Sequence, residues 1–130
     1  DIKIEDYYQT ENKINIIKNN LPEFDIIYFD YCWENCKNNI EYNEYFNYSI
    51  NPLCRHFYLV SKRGAKIILD TTIPMYFHGD NMYVQLIKNE KLISYNVKPD
   101  FFNITQNREV LGSELNNNGI IRKCKNKIEF

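Results

Sequence analysis

The chain has 130 residues, room for one domain with a single core, and its 44% hydrophobic content is enough to fold it. Sixteen basic and seventeen acidic residues leave a net charge of −1, which excludes nucleic acid as the main partner, because phosphate binding needs a concentrated positive field. No run of about 18 apolar residues exists, so no transmembrane segment is expected, and no signal-peptide pattern opens the chain.

The first predicted element is a helix over residues 4–20. Ile14, Ile17 and Leu21 share one face, charges occupy the others, and Pro22 stops it. Residues 25–31 come next as a strand whose continuous apolar run, Ile26 to Phe29, suits a buried parallel strand. Residues 32–52 mix Asn, Glu and Tyr and read as a long loop with a short edge strand. A strand is expected from Cys54 to Ser61, carried by Phe57, Tyr58, Leu59 and Val60. Lys62-Arg63-Gly64 turns into a helix from Ala65 to Leu69 and a little beyond, with Ala65, Ile68 and Leu69 as its buried stripe. Pro74 breaks that pattern. Asp80 then caps a helix over 81–89, in which Met82, Val84, Leu86 and Ile87 are apolar. Residues 91–97 form a strand ended by Pro99, and 101–105 are a short extended piece. The order helix, strand, loop, strand, helix, helix, strand defines an α/β fold, a mixed sheet flanked by helices. Three or four strands look like an incomplete sheet, with further strands expected upstream.

Eleven Tyr and eight Phe make the chain aromatic. Tyrosine brings area together with a hydroxyl that needs a partner, which suits polar-lined grooves. Asn, Ile, Lys and Tyr also share AT-rich codons, so compositional drift accounts for the larger share. Of Cys32, Cys36, Cys54 and Cys124 only the first two are close, and no second ligand pair supports zinc. Structural or free thiols are the expectation. Asn47-Tyr48-Ser49 and Asn103-Ile104-Thr105 are glycosylation sequons, which arise easily in an Asn-rich chain. The basic group Arg122, Lys123, Lys125 and Lys127 reads as a solvated tail.

Several segments, in order, resemble glycosyltransferase family 25, which contains lipooligosaccharide and procollagen galactosyltransferases. Asp1-Ile2-Lys3-Ile4-Glu5 is similar to the end of the family's Glu-Asp-Asp motif and the residues after it, with Asp1 as the motif's last residue. Phe24-Asp25-Ile26-Ile27-Tyr28 resembles a Trp-Asp-hydrophobic-Ile-Tyr strand. His56-Phe57-Tyr58-Leu59-Val60-Ser61-Lys62-Arg63-Gly64-Ala65 is similar to the most recognisable block. Asp80 lies where the family places an Asp after a Pro-containing loop. Tyr95 to Pro99, Gln106 and Ser113-Glu114-Leu115 resemble the final pattern, with Glu114 in place of the usual Asp. The resemblance covers residues 1–115 as the C-terminal part of a glycosyltransferase domain and leaves 116–130 as a tail.

The resemblance implies a partial GT-A-like (Rossmann-like) fold and an inverting hexosyltransferase. Its donor would be a UDP-sugar, galactose foremost, and its acceptor a hydroxyl of a glycan or of hydroxylysine. A divalent ion, Mn²⁺ or Mg²⁺, would neutralise the leaving diphosphate, with Asp1 as a ligand and His78 as a further one. Asp80 would be the general base that takes the acceptor's proton; an ordinary helix cap fits the same residue. His56, Tyr58, Ser113 and Glu114 would contact donor or acceptor. For His56 a half-buried strand position is the alternative, and for Tyr58 a core position with a polar tip. Gly64 is expected in a turn. The motif's Glu-Asp is expected ahead of Asp1, so these residues alone need not be active. A non-catalytic binding or assembly module of the same fold is the second reading. Bacterial relatives would work at the cytoplasmic membrane face, and collagen-modifying ones in the endoplasmic reticulum lumen.

Overall fold

The computed structural model describes residues 6–31, 34 and 40–102, and the backbone of 2–3 and 105–106. Its centre is a four-stranded sheet of β2 (Ile26–Asp30), β3 (Phe46–Tyr48), β4 (Phe57–Val60) and β5 (Ser94–Val97), in the order β3-β5-β2-β4. Separately, β1 (Ile2–Lys3) pairs antiparallel with β6 (Thr105–Gln106), placing Ile2 opposite Gln106. The helices are α1 (Tyr7–Asn19), α2 (Lys62–Thr72) and α3 (Gly79–Lys88).

The expected parallel pairing of β2 holds on one side. β2 runs parallel to β5, with Ile26 opposite Ser94, and antiparallel to β4, with Tyr28 opposite Tyr58. The edge strand expected within 32–52 is β3, antiparallel to β5. Every residue of β2 and β5 is buried, as expected for strands covered on both faces. The described architecture is therefore α/β, a mixed sheet between helices.

The period-two alternation of β2 divides its side chains between two cores. Ile27 and Phe29 join Ile17, Phe46, Tyr95, Val97 and Phe102 beneath α1. Phe29, Phe57 and Phe102 meet there with ring centroids 5.0–5.8 Å apart. Ile26 and Tyr28 join Ile68, Tyr83, Leu86, Ile87 and Leu92 beneath α2 and α3.

α1 buries the predicted face, Ile17 fully with Ile14 and Leu21 partly. Asp6 caps it, accepting from the Gln9 amide at 3.0 Å. The buried stripe of α2 differs from the expectation. It is Gly64, Ile68 and Thr72, while Leu69 is 55% exposed. Ser61 caps α2, accepting from the Gly64 amide at 2.9 Å, so the helix starts three residues earlier than the Ala65 expectation, and Leu69 faces away from the buried Gly64, Ile68 and Thr72. Gly64 accordingly sits in the first helical turn and not in a preceding turn. Between α2 and α3 the Ile73–Pro74 peptide is cis. Among the described residues no helix is long and apolar enough to cross a membrane.

Candidate functional site

Two buried aspartates bracket β2. Asp25, just before it, is 1% exposed and fully engaged. Its carboxylate accepts from Arg63 Nε at 2.8 Å, Arg63 Nη2 at 3.0 Å and the Ile93 amide at 2.8 Å. Its carbonyl accepts from the Ser61 amide at 2.9 Å. A planar guanidinium gripping both carboxylate oxygens is the strong form of such a pair. The backbone of α2 comes so close that a Cβ on Gly64 would stand 2.3 Å from the Asp25 carbonyl oxygen. Ser61, Arg63 and Gly64 thus weld α2 to the amino end of β2, and the most recognisable sequence block owes its residue types there to packing.

The carboxyl end of β2 is built differently. Asp30, 2% exposed, accepts from His56 Nε2 at 2.7 Å, just ahead of β4. The β2–β4 register shifts between Tyr28 and Asp30, which brings Asp30 opposite Phe57. Asp80 holds the same segment from α3. Its Oδ1 accepts from Arg55 Nε at 2.7 Å and its Oδ2 from the Cys54 amide at 3.1 Å. Arg55 and Asp80 are each about one-third exposed, at 34% and 35%.

The Arg55 guanidinium carbon lies 4.7 Å from the centre of the Tyr83 ring, a cation–π contact. It rests on Gly79, where a Cβ would meet Arg55 Nη2 at 2.1 Å. Burial works against the Arg55 charge, but the bonds to Asp80 and Tyr83 outweigh it and raise its pKa. Tyr58, directly opposite Tyr28, is raised by burial and then by Tyr83. Tyr28 Oη is buried without a hydrogen-bond partner among the described residues, and burial followed by the Asp80 charge raises its pKa strongly.

The structure thus brings Asp30, His56, Tyr58 and Asp80 to one end of the sheet. Asp80 does not cap α3. The cap position is His78, which makes no side-chain cap bond, and Asp80 stands in the first turn. A carboxylate there still complements the positive helix end, but it is drawn sideways to Arg55 and Cys54. His78 is exposed, its ring 5.1 Å from that of Phe77. Tyr58 is 36% exposed at the sheet edge, more open than a core position with a polar tip. Asp1, Ser113 and Glu114 lie outside the described residues. Among the described residues no three His, Cys, Asp or Glu side chains converge to hold a metal ion, so these residues do not by themselves supply the expected ion site.

Three contributors are not apparent from the sequence. Arg55 precedes the recognisable block, and its role needs Asp80, 25 residues away. Asp30 reads in the sequence as the last polar residue of a strand. Glu34, 2% exposed inside the expected loop, accepts from Ser49 Oγ at 2.6 Å and the Asn51 amide at 2.6 Å. Ser49 is therefore engaged and Asn47 buried in β3, so the first sequon is sealed in the folded chain. The second, at Asn103, falls outside the described residues. The cysteine expectation is corrected at Cys54, which is disulfide-bonded, and no free cysteine occurs among the described residues.

Comparison with known proteins finds no matching family model, no similar curated protein and no similar solved structure.

Proposed function

We propose that the chain is part of a nucleotide-sugar-dependent glycosyltransferase domain. It would move a sugar, galactose foremost, from a uridine diphosphate donor to a hydroxyl of a glycan or of hydroxylysine. One observation carries the reading. His56 and Asp80, from two separated segments that bear the family resemblance, come to one end of the sheet through Asp30, Cys54 and Arg55, which lie just outside those segments. That end lies at the carboxyl terminus of β2, the strand that runs parallel to β5. Ligands of open α/β sheets bind outside the carboxyl ends of such strands.

In the proposed reaction the acceptor oxygen attacks the anomeric carbon while the bond to the diphosphate breaks. The diphosphate leaves with the electron pair, and the acceptor's proton passes to a carboxylate. Asp80 suits that task. Its oxygens accept from Arg55 Nε and the Cys54 amide, each keeps a second lone pair, and the group is partly open to solvent. The metal requirement belongs to the same proposal and rests on Asp1; a bound divalent ion would stabilise the leaving diphosphate as a Lewis acid.

The test is a transfer assay with UDP-galactose, Mn²⁺ and a glycan or hydroxylysyl-peptide acceptor, on the chain carrying Glu-Asp ahead of Asp1. Asp80→Asn should lower the rate by about a hundredfold or more. A full rate in that variant removes Asp80 as the base.

A second reading, a binding or assembly module without catalysis, is favoured by the double engagement of Asp80, which also makes it a tie between α3 and the segment before β4. Calorimetry with UDP and Mn²⁺ separates the two. Tight, metal-dependent binding supports the transferase, and absence of binding supports the module.

A further inference from the structure

Three consecutive residues hold the two site aspartates. Cys54 gives its backbone N–H to Asp80, Arg55 gives its guanidinium to Asp80, and His56 gives its ring to Asp30. This tripeptide is not part of a regular element; β4 begins only at Phe57. Helical or sheet hydrogen bonds therefore do not fix its course. Its first residue has φ of 70°, the left-handed region that a side chain with a Cβ disfavours. A non-glycine residue keeps that conformation only where its surroundings over-determine it. At Cys54 the restraints include the bond from its amide to Asp80 and its disulfide.

We infer that residues 54–56 are a positioning clamp for Asp30 and Asp80, locked by the Cys54 disulfide and released when that disulfide is reduced. The chemistry is an exchange with a dithiol. A thiolate of the reductant attacks one sulfur, and the S–S bond breaks. The second reductant thiol resolves the mixed disulfide. Two electrons and two protons pass from the dithiol to the protein, which ends with two thiols while the reductant ends as its own disulfide. Cys54 is half-buried, within reach of a small reagent. Once the cross-link is gone, the left-handed conformation loses one of its restraints. The Cys54 amide then leaves Asp80 more often, and Arg55 and His56 move with it because they share its backbone. Such local opening is independent of global unfolding, and it is independent of whether the site transfers a sugar.

The Cys54 amide reports the clamp directly, because its N–H makes the Asp80 contact. Hydrogen exchange of the whole chain would be measured residue by residue before and after dithiothreitol, with thiols counted by maleimide mass labelling under denaturing conditions. Reduction should speed exchange at Cys54 by about tenfold or more, while Ile27 and Tyr95 in the sheet centre keep their rates. Cys54→Ser should reproduce the reduced behaviour; if it fails to fold, the reductant titration of the unaltered chain decides alone. Unchanged exchange at Cys54 in protein shown to be reduced would overturn the inference. So would an equal acceleration throughout β2 and β5, which would mark a general cross-link, or a free Cys54 thiol in the untreated protein.

Discussion

At its amino end β2 meets Asp25, whose carboxylate is gripped by Arg63 and the Ile93 amide, with the backbone of Gly64 pressed against it. At its carboxyl end the same strand meets Asp30, bound to His56, with Arg55 and Asp80 beside it on partly exposed segments. Both ends present a buried carboxylate with a basic partner. They differ in what surrounds the pair. The amino end is closed by the start of α2 and by Ile93, the residue just ahead of β5, so its charge serves cohesion. The carboxyl end is assembled from a tripeptide and the first turn of α3, where groups remain reachable. A sequence block can therefore be recognisable because it packs, while the more open carboxylates lie among residues that look ordinary.

Substitutions at the two ends should separate stability from function. The largest effect is expected from Gly64→Ala, whose Cβ would meet backbone that cannot rotate away. A loss of about 3 kcal/mol in urea unfolding is expected, and a variant as stable as the parent would show that α2 is not welded at that point. Gly79→Ala at the other end should behave differently. Its Cβ meets the tip of a flexible side chain, so Arg55 swings aside and stability changes by about 1 kcal/mol or less. UDP affinity or transfer should still fall by about tenfold; equal loss of stability and function would dissolve the distinction.

The smallest effects concern tyrosines. Tyr95 is pushed up to about 12 by burial, then by Tyr48 and Tyr42. Its folded pKa exceeds the unfolded value of about 10, so its contribution is fully present below about pH 10 and lost as pH rises through 12. Thermal melts between pH 9 and 12 should show that decline, and Tyr95→Phe should flatten it. Tyr28→Phe removes a buried hydroxyl that has no partner among the described residues and should leave stability at neutral pH within about 1 kcal/mol of the parent, on the stabilising side.

Much of the architecture is legible in the sequence because it obeys periodicity. The run Ile26–Phe29 suits a buried strand, and Ile14, Ile17 and Leu21 share a helix face by spacing alone. The start of α2 is harder to place because Ser61 reads as the last strand residue, although a Ser three residues before Gly64 can cap through its hydroxyl. Asp80 reads as a cap from its position alone; its partners lie 25 and 26 residues back, a distance no local pattern encodes. Arg55, Asp30 and Glu34 are hidden for the same reason. Each is defined by a contact across the fold, and Glu34 lies in a segment whose polarity reads as solvent exposure.

The register of β2 and β5 also bears on how the chain reaches this state. Asp25 and Ile93 are 68 residues apart, so the parallel pair at the sheet centre closes a long loop before it gains any contact. Pairings of long sequence separation slow folding in general, because loop closure precedes the contacts that reward it. Asp30, Glu34, His56 and Asp80 all lie inside the loop. A ribosome-bound chain that has not yet emitted β5 lacks the parallel partner of β2, although β4 already offers it an antiparallel one. Closure of the parallel pair therefore waits on residues 94–97, whereas the contacts of Asp30, His56 and Asp80 join segments that all come earlier in the chain.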